Sequence, residues 1–361
     1  MDNKFFNRMV SNTLAGSSNQ HYFETENSEK EYTSRVFYKV FSGGTYNYSF
    51  LFSSILDGTF WGANRNEKIL GWEIIRARVG ISRTCSMEKM PDIEQMQALY
   101  FNGTEGKKVD KAELFACDEI ALSAKKNEYI CLEVTYKGKR VPRHNENWIA
   151  AFLEENGKWA PSNQAVFANM VGCDRKVKKK IAFLGDSITQ GIGVEKNSYK
   201  NWCALLAEKL GQEHAYWNLG IGMATANDAA TDGVWLYKAK QNDIVFVCFG
   251  VNDIFKIQNE EKTKKDLYTI IKKLKETERK VIIQTIPPFN YDEEKLLIWK
   301  NLNKYIQNEL SQCADLVFDC VPLLEDETKE GKAKYNGHPN EIGCALWANE
   351  LYGAVKNIIK Q

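Results

Sequence analysis

The chain has almost no net charge, with 48 Lys and Arg against 47 Asp and Glu in 361 residues. A basic excess usually accompanies binding to nucleic acid or to a membrane surface, so neither partner is expected. No run of apolar residues is long enough to span a bilayer. The N-terminal residues 1–6 lack the cationic start and apolar core of a signal peptide, which predicts a cytoplasmic protein.

Paired cysteine motifs are also missing. The nine cysteines are odd in number and scattered, and none shows CxxC spacing. This pattern indicates buried free thiols rather than a disulfide framework or a zinc site. We therefore expect neither a metal nor another cofactor.

The length favours two domains. Residues 1 to about 30 are polar and irregular, and residues 34–171 contain short aromatic and β-branched runs such as 45–52, separated by Gly-, Asn- and Lys-rich turns. Such runs predict a β-sandwich over residues 1–176, with residues 92–99 as a short helix or a loop. The charged segment 173–180 leads into a second domain over residues 177–361.

In the second domain, apolar strand patterns alternate with helical patterns. The strands are predicted at 180–185, 215–219, 243–249, 280–286 and 316–319, and the helices at 199–210, 225–240 (interrupted at Gly233), 260–278, 292–312 and 340–359. Alternation of this kind predicts an α/β fold with a parallel sheet covered on both faces. Right-handed crossovers then give a doubly wound, flavodoxin-like sheet of strand order 2-1-3-4-5.

Gly185-Asp186-Ser187 ends the first of these strands. A serine at the carboxyl end of a strand lies where ligand chemistry usually occurs in an open α/β sheet. Asp and Ser before a helix are also ordinary N-cap residues. The stretch alone supports both interpretations about equally.

The loops after strands 1, 2 and 3 meet at one edge in that strand order. They carry Ser187, Gly220 and Asn252. The Ser187 and Gly220 N–H groups and the Asn252 amide could bind a developing oxyanion, and a missing Cβ at Gly220 would let a substrate approach the backbone. The alternatives are a turn role for Gly220 and helix capping by Asn252-Asp253.

A serine nucleophile needs a base, and the chain has four histidines. His21 and His144 belong to the N-terminal region, and His214 precedes strand 2 at the opposite end of the sheet. His338 lies in a loop after strand 5, so it alone is placed to reach Ser187.

These residues resemble the four ordered blocks of the SGNH hydrolases, also called GDSL esterases and lipases. Ser187 lies in Gly-Asp-Ser, Gly220 in Asn-Leu-Gly, Asn252 in Gly-Val-Asn-Asp and His338 in His-Pro-Asn. The resemblance covers about residue 180 to the C-terminus, and it implies an SGNH-type fold and ester hydrolysis without a cofactor. The β-rich region followed by this domain is similar in architecture to two-domain bacterial carbohydrate esterases.

One position departs from the family pattern. The family usually has Asp three residues before the histidine, and this chain has Tyr335 there. We expect a Ser-His dyad in which a backbone carbonyl of the loop between Asp319 and Gly337 orients His338. The alternative is a carboxylate from residues 325–327.

The expected function is a serine esterase acting on a small-molecule or carbohydrate ester, with an acetyl and sugar preference that the resemblance implies. The alternatives are a lipase or thioesterase for longer acyl chains, and a binding module that retains the fold with little turnover. The sequence predicts no oligomeric state.

Overall fold

The computed structural model describes residues 4–59, 65–324, 333–334 and 337–360, and of residues 333 and 334 only the backbone. The chain divides into two compact units, Met1–Val177 and Lys178–Gln361. The sequence-based boundary lies between residues 176 and 177.

The regular elements in the described part of the N-terminal unit are strands, apart from one short helix. The described part begins with this helix, α1 (Lys4–Arg8). The strands are β1 (Val10–Ser11), β2 (Asn19–Glu24), β3 (Tyr32–Lys39), β4 (Gly44–Ser53), β5 (Trp72–Ser82), β6 (Glu94–Leu99), β7 (Lys107–Val109), β8 (Leu114–Ala116), β9 (Ile120–Ala124), β10 (Tyr129–Gly138), β11 (Arg140–Asn145), β12 (Ala151–Glu155), β13 (Lys158–Pro161) and β14 (Met170–Cys173).

These strands pair antiparallel in three sheets. A seven-stranded sheet has the order β13-β12-β3-β10-β5-β6, with β7 also on β5; a five-stranded sheet has the order β1-β14-β4-β8, with β9 also on β4; β11 and β2 form a two-stranded sheet. The central strand β10 is buried along most of its length, as a strand with neighbours on both edges should be. The β-sandwich arrangement stays a prediction.

One expectation for this unit was wrong. The segment 92–99 is not a helix or a loop, because Glu94–Leu99 forms β6. The polar N-terminal segment also contains a strand, β2, which pairs with β11 over its full length. Strands β2 and β6 are rich in polar residues, so neither shows the sustained apolar alternation from which strands are recognised in a sequence.

The C-terminal unit alternates strands and helices. The first half contains β15 (Lys180–Gly185), α2 (Ser187–Gln190), α3 (Trp202–Leu210), β16 (Ala215–Asn218), α4 (Ala226–Ala230), α5 (Val234–Ala239) and β17 (Ile244–Cys248). The second half contains a π-helix (Asp253–Ile257), α6 (Glu260–Lys275), β18 (Lys280–Gln284), α7 (Glu293–Asn308), a 3₁₀ turn (Leu310–Gln312), β19 (Leu316–Phe318), α8 (Val321–Leu324), β20 (Ala333–Lys334), β21 (His338–Pro339) and α9 (Glu341–Lys360).

The main sheet of this unit is parallel, with the order β16-β15-β17-β18-β19. In chain order this is the predicted arrangement 2-1-3-4-5, and the α/β fold with a parallel sheet is confirmed. The strand β17 is completely buried, which explains its continuous apolar run. The predicted interruption at Gly233 is the N-cap of α5.

Aromatic packing joins the sheet to its covering helices. Phe183 on β15 contacts Trp202 on α3 with 5.3 Å between ring centroids. Trp202 in turn stacks on Trp347 of α9 at 5.0 Å. The order of strands places the carboxyl ends of β15, β16 and β17 side by side, and the loops that leave them carry the candidate site. No described helix combines the length and apolar character needed to cross a membrane.

Candidate active site

Ser187 is the first residue of helix α2, directly after strand β15. Asp186 is the N-cap residue, and its carboxylate accepts a hydrogen bond from Ile188 N at 2.9 Å. The capping interpretation of this stretch is therefore right for Asp186. Ser187 itself is half-buried, so its hydroxyl lies at the surface of the unit rather than in the core.

The Ser187 hydroxyl lies against a histidine. Ser187 Oγ and His338 Nε2 are 2.8 Å apart, although the two residues are separated by 151 positions. His338 belongs to β21, which pairs with β20. The structure thus brings together the two side chains that the sequence proposes as nucleophile and base.

Close packing holds the histidine strand in place. The ring of Phe289 meets the His338 ring edge-on, with 5.2 Å between centroids. A Cβ on Gly337 would collide with the Phe289 ring, and a Cβ on Gly193 would collide with Pro339 O; both glycines have positive φ. The two glycines let the backbone around His338 fit between its neighbours.

Position 220 requires glycine for a different reason from the one expected. A Cβ there would collide with the backbone of Thr189 and Gln190, so its missing side chain admits the Ser187 turn and not a substrate. Its N–H donates to Asn218 Oδ1 at 2.9 Å, while Asn218 Nδ2 donates to Thr189 O at 2.8 Å. Asn218, which the sequence analysis did not single out, therefore joins the Gly220 loop to the Ser187 turn.

Asn252 and Asp253 hold the loop after β16. Asn252 Nδ2 donates to Ala224 O at 2.9 Å, which uses one of its two hydrogens. Both carboxylate oxygens of Asp253 accept from Ala226 N, at 3.1 and 3.0 Å. Asp253 thus satisfies an N-terminal N–H of α4, and Asn252 makes no capping bond to the helix that follows it. The alternative of helix capping therefore does not hold for Asn252.

Two buried carboxylates lie beneath the site. Burial raises the pKa of Asp186 to about 7, and the charge of Asp253 adds to the rise. Burial also raises the pKa of Asp253 to about 7, with contributions from Asp228 and Asp266. Each carboxyl is therefore easier to protonate near neutral pH than an ordinary aspartate.

The sequence analysis missed an aromatic cluster beside His338, made of Phe255, Phe289 and Tyr291. The ring centroid of Phe255 lies 5.6 Å from that of Phe289 and 5.5 Å from that of Tyr291. The segments that carry these residues follow β17 and β18. Aromatic residues soon after the end of each strand are the sequence feature from which the cluster could have been predicted. We name Phe255, Phe289 and Tyr291 the aromatic cluster.

Most of the loop between Asp319 and Gly337, from which a carbonyl was expected to orient His338, lies outside the described residues. The alternative carboxylates of residues 325–327 lie outside them too, as does Tyr335. The Ser-His dyad, in which a backbone carbonyl holds His338, therefore stays a prediction.

Comparison with known proteins gives the class of the C-terminal unit. Residues 183–346 match the model of the GDSL-like Lipase/Acylhydrolase family. This segment contains all four of the candidate residues Ser187, Gly220, Asn252 and His338. The C-terminal unit carries a domain of that family, and the protein is a carboxylic ester hydrolase. No curated protein matches the chain.

Several solved structures are similar to this chain. A family two carbohydrate esterase from Clostridium thermocellum, in complex with cellohexaose, is 11% identical with a TM-score of 0.43, over 92% of this chain and 93% of that one. The lipase/acylhydrolase from Enterococcus faecalis is 25% identical with a TM-score of 0.41, over 50% and 96%. A member of the lipolytic protein G-D-S-L family from Veillonella parvula DSM 2008 is 20% identical with a TM-score of 0.42, over 48% and 96%.

Proposed function

We propose that this protein is a serine esterase of the SGNH type that removes a short acyl group, acetyl above all, from an oxygen of a carbohydrate or a similar polar molecule. The observation that carries the proposal is the 2.8 Å contact between Ser187 Oγ and His338 Nε2 at the carboxyl edge of the parallel sheet. A hydroxyl within hydrogen-bond reach of an imidazole is the geometry that nucleophilic acyl transfer needs. The acetyl and sugar preference follows from the resemblance described above.

In the first half of the reaction, Ser187 Oγ attacks the ester carbonyl carbon while its proton passes to His338 Nε2. The bond from the carbonyl carbon to the alcohol oxygen then breaks, and His338 gives the proton to that oxygen. In the second half, water attacks the acyl-enzyme and gives its proton to His338. The bond between the acyl carbon and Ser187 Oγ then breaks, and His338 gives the proton to Oγ. The carboxylic acid leaves, and the Ser187 hydroxyl and the neutral imidazole are restored.

The oxyanion formed in each half needs hydrogen-bond donors. Ser187 N–H lies at the start of a helix, where it has no intrahelical acceptor. Asn252 keeps a second Nδ2 hydrogen beyond the one bound to Ala224 O. The Gly220 N–H is engaged by Asn218 Oδ1 at rest, so its participation requires that this hydrogen bond be shared or broken.

The proposal is tested with 4-nitrophenyl esters of increasing acyl length and a Ser187→Ala variant. We expect the highest kcat/KM for the acetate and loss of turnover in Ser187→Ala, with an unchanged circular dichroism spectrum. Preference for long chains would support a lipase or thioesterase instead. Absence of turnover by the unmodified protein would support a binding module, and a Ser187→Ala variant with most of its kcat would exclude the mechanism.

A further inference from the structure

One member of the aromatic cluster faces solvent. Phe255 is 36% exposed, while its ring packs against Phe289 and Tyr291. Lys295 Nζ lies 5.7 Å from the centroid of the same ring. An apolar ring that is held on several sides and still exposed is a typical ligand contact, because an exposed aromatic surface gains free energy when a ligand covers it.

The backbone that carries Phe255 is anchored. It lies in the π-helix Asp253–Ile257, in which Gln258 N donates to Asp253 O at 3.0 Å. Single π-turns of this kind are frequent at functional sites. Lys256 Nζ donates to Met223 O at 2.6 Å, and Asn252 and Asp253 bind the same loop. The Phe255 ring is therefore held at a fixed place beside the site.

The loop bound by Lys256 adds a second apolar side chain. Met223 is 37% exposed and has a φ of 64°, a conformation that residues with a Cβ rarely adopt. Non-glycine residues in this conformation are frequent at ligand sites. Met223 and Phe255 thus lie on adjoining loops at the carboxyl edge of the sheet.

The chemistry decides which part of an ester lies near the cluster. His338 Nε2 must reach the oxygen of the leaving alcohol in order to protonate it. The acyl carbonyl oxygen must point instead towards the oxyanion donors at Ser187 and Asn252. Phe289 packs edge-on against the His338 ring, and Phe255 packs on Phe289. The Phe289 side of the cluster therefore adjoins the base that protonates the leaving alcohol.

We propose that Phe255 is a specificity-determining residue that stacks against the ring of the leaving alcohol, a pyranose. This inference rests on the proposed esterase function and deepens it. The apolar C–H face of a pyranose can cover an exposed aromatic ring, whereas a short aliphatic alcohol covers only a small part of it. Stacking present in both the bound substrate and the transition state lowers KM more than it raises kcat.

The test compares esters that share an acyl group or an alcohol. The substrates are methyl 6-O-acetyl-glucopyranoside, ethyl acetate and ethyl butyrate, all of which release a primary alcohol; the first two share the acetyl group. In Phe255→Ala we expect kcat/KM for the sugar ester to fall on the order of tenfold more than for ethyl acetate, mainly through KM. Phe255→Trp keeps an aromatic ring at this position, so it should retain the preference for the sugar ester that Phe255→Ala loses.

Tyr268→Ala is the matched control, because Tyr268 is an exposed aromatic residue on α6, 44% accessible. It should leave the ratio between the sugar ester and ethyl acetate unchanged. Equal losses on all three esters in Phe255→Ala, or no loss, would overturn the stacking role while the esterase function stands. A selective change on ethyl butyrate would place Phe255 on the acyl side and also overturn it. If the unmodified protein hydrolyses none of the three esters, the proposed function falls, and this inference with it.

Discussion

Asp186 and Ser187 are neighbours in sequence with opposite environments. The Asp186 carboxyl is 2% exposed and holds the start of α2, whereas the Ser187 hydroxyl reaches His338. A charged carboxylate at this depth is costly unless it is compensated, and the backbone N–H groups around Asp186 compensate for the burial only in part. The pKa near 7 has a measurable consequence for stability.

Asp186→Asn should flatten the pH dependence of stability. The folded protein keeps a proton on Asp186 that the unfolded chain releases above about pH 4, so the stability from this group is present at low pH and is lost as pH rises through about 7. Asparagine keeps an oxygen for Ile188 N–H and never ionises. Urea unfolding should therefore show the variant relatively more stable at pH 8 than at pH 5.

Asp292→Asn is the control for that experiment. Asp292 also caps a helix, but Lys295 lowers its pKa, which is the opposite direction. Its replacement should give no relative gain at pH 8. Parallel pH profiles for Asp186→Asn and the unmodified protein would contradict the raised pKa.

Asn252→Ala should lower kcat on the order of 10²- to 10³-fold and change KM little, because one oxyanion donor is lost. Asn252 also holds the Ala224 carbonyl, so loop displacement must be separated from loss of the donor. Lys256→Met provides this control, since it removes another hydrogen bond to the same loop. A comparable fall in kcat in both variants would make Asn252 a positioning residue.

The sequence made part of the site predictable at this level. Ser187 could be found because it follows a strand end, and His338 because the other three of the four histidines lie elsewhere in the predicted fold. The hydrogen bond from Gly220 N–H to Asn218 Oδ1 could not be predicted. An Asn-Leu-Gly turn has the same sequence whether its glycine N–H binds an oxyanion or closes the turn on the asparagine side chain. The aromatic cluster and His338 come from three segments, after β17, β18 and β19, that only the order of the strands brings together.

Glycines in the C-terminal unit differ in what surrounds them. A Cβ on Gly220 would meet Gln190 N at 2.1 Å, while a Cβ on Gly353, in the exposed part of α9, would have no atom within 4 Å. Gly220→Ala should therefore destabilise the unit by roughly 1–3 kcal/mol and lower activity by shifting the Ser187 turn.

Gly353→Ala is the matched substitution and should have the opposite sign. Alanine in an exposed helix interior is more stable than glycine by about 1 kcal/mol. Chemical denaturation of both variants measures the two effects. The packing account of Gly220 fails if Gly220→Ala is as stable and as active as the unmodified protein.

The strands of the N-terminal unit show where pattern reasoning fails. Strand β6 pairs only with β5 in the described sheet, and most of its residues are exposed or half-buried. An edge strand of this kind needs no alternation of apolar residues, so its sequence resembles that of a loop. The strongly apolar strands β15 and β17 were predictable because both of their faces are buried.

The near-zero net charge of the molecule gives no sign of an ionic cluster in the N-terminal unit that is centred on a buried glutamate. Glu133 on the central strand β10 is 1% exposed, and its two carboxylate oxygens bind Arg35 at 2.8 Å and Arg78 at 2.6 Å. The ion pairs tie β3 and β5 to β10 across the sheet. Total composition gives no sign of such a cluster, because it depends on strand register.

Glu133→Gln should destabilise the N-terminal unit by roughly 1–3 kcal/mol, because the partly exposed Arg35 and Arg78 lose charge-assisted hydrogen bonds to a buried carboxylate. Hydrogen exchange of β10 peptides reports this unit directly. Glu155→Gln, an exposed change at the end of β12, should leave that exchange unaltered. Equal protection of β10 in Glu133→Gln and the unmodified protein would show that the ionic cluster adds no stability.

The central claim is that Ser187 is a nucleophile activated by His338. Labelling with a fluorophosphonate, followed by peptide mapping, tests it most directly, because phosphonylation needs an activated serine. The account predicts one phosphonyl group per chain on Ser187 and a large loss of labelling in His338→Ala. A label on another residue, or equal labelling of Ser187 in the absence of His338, would contradict it.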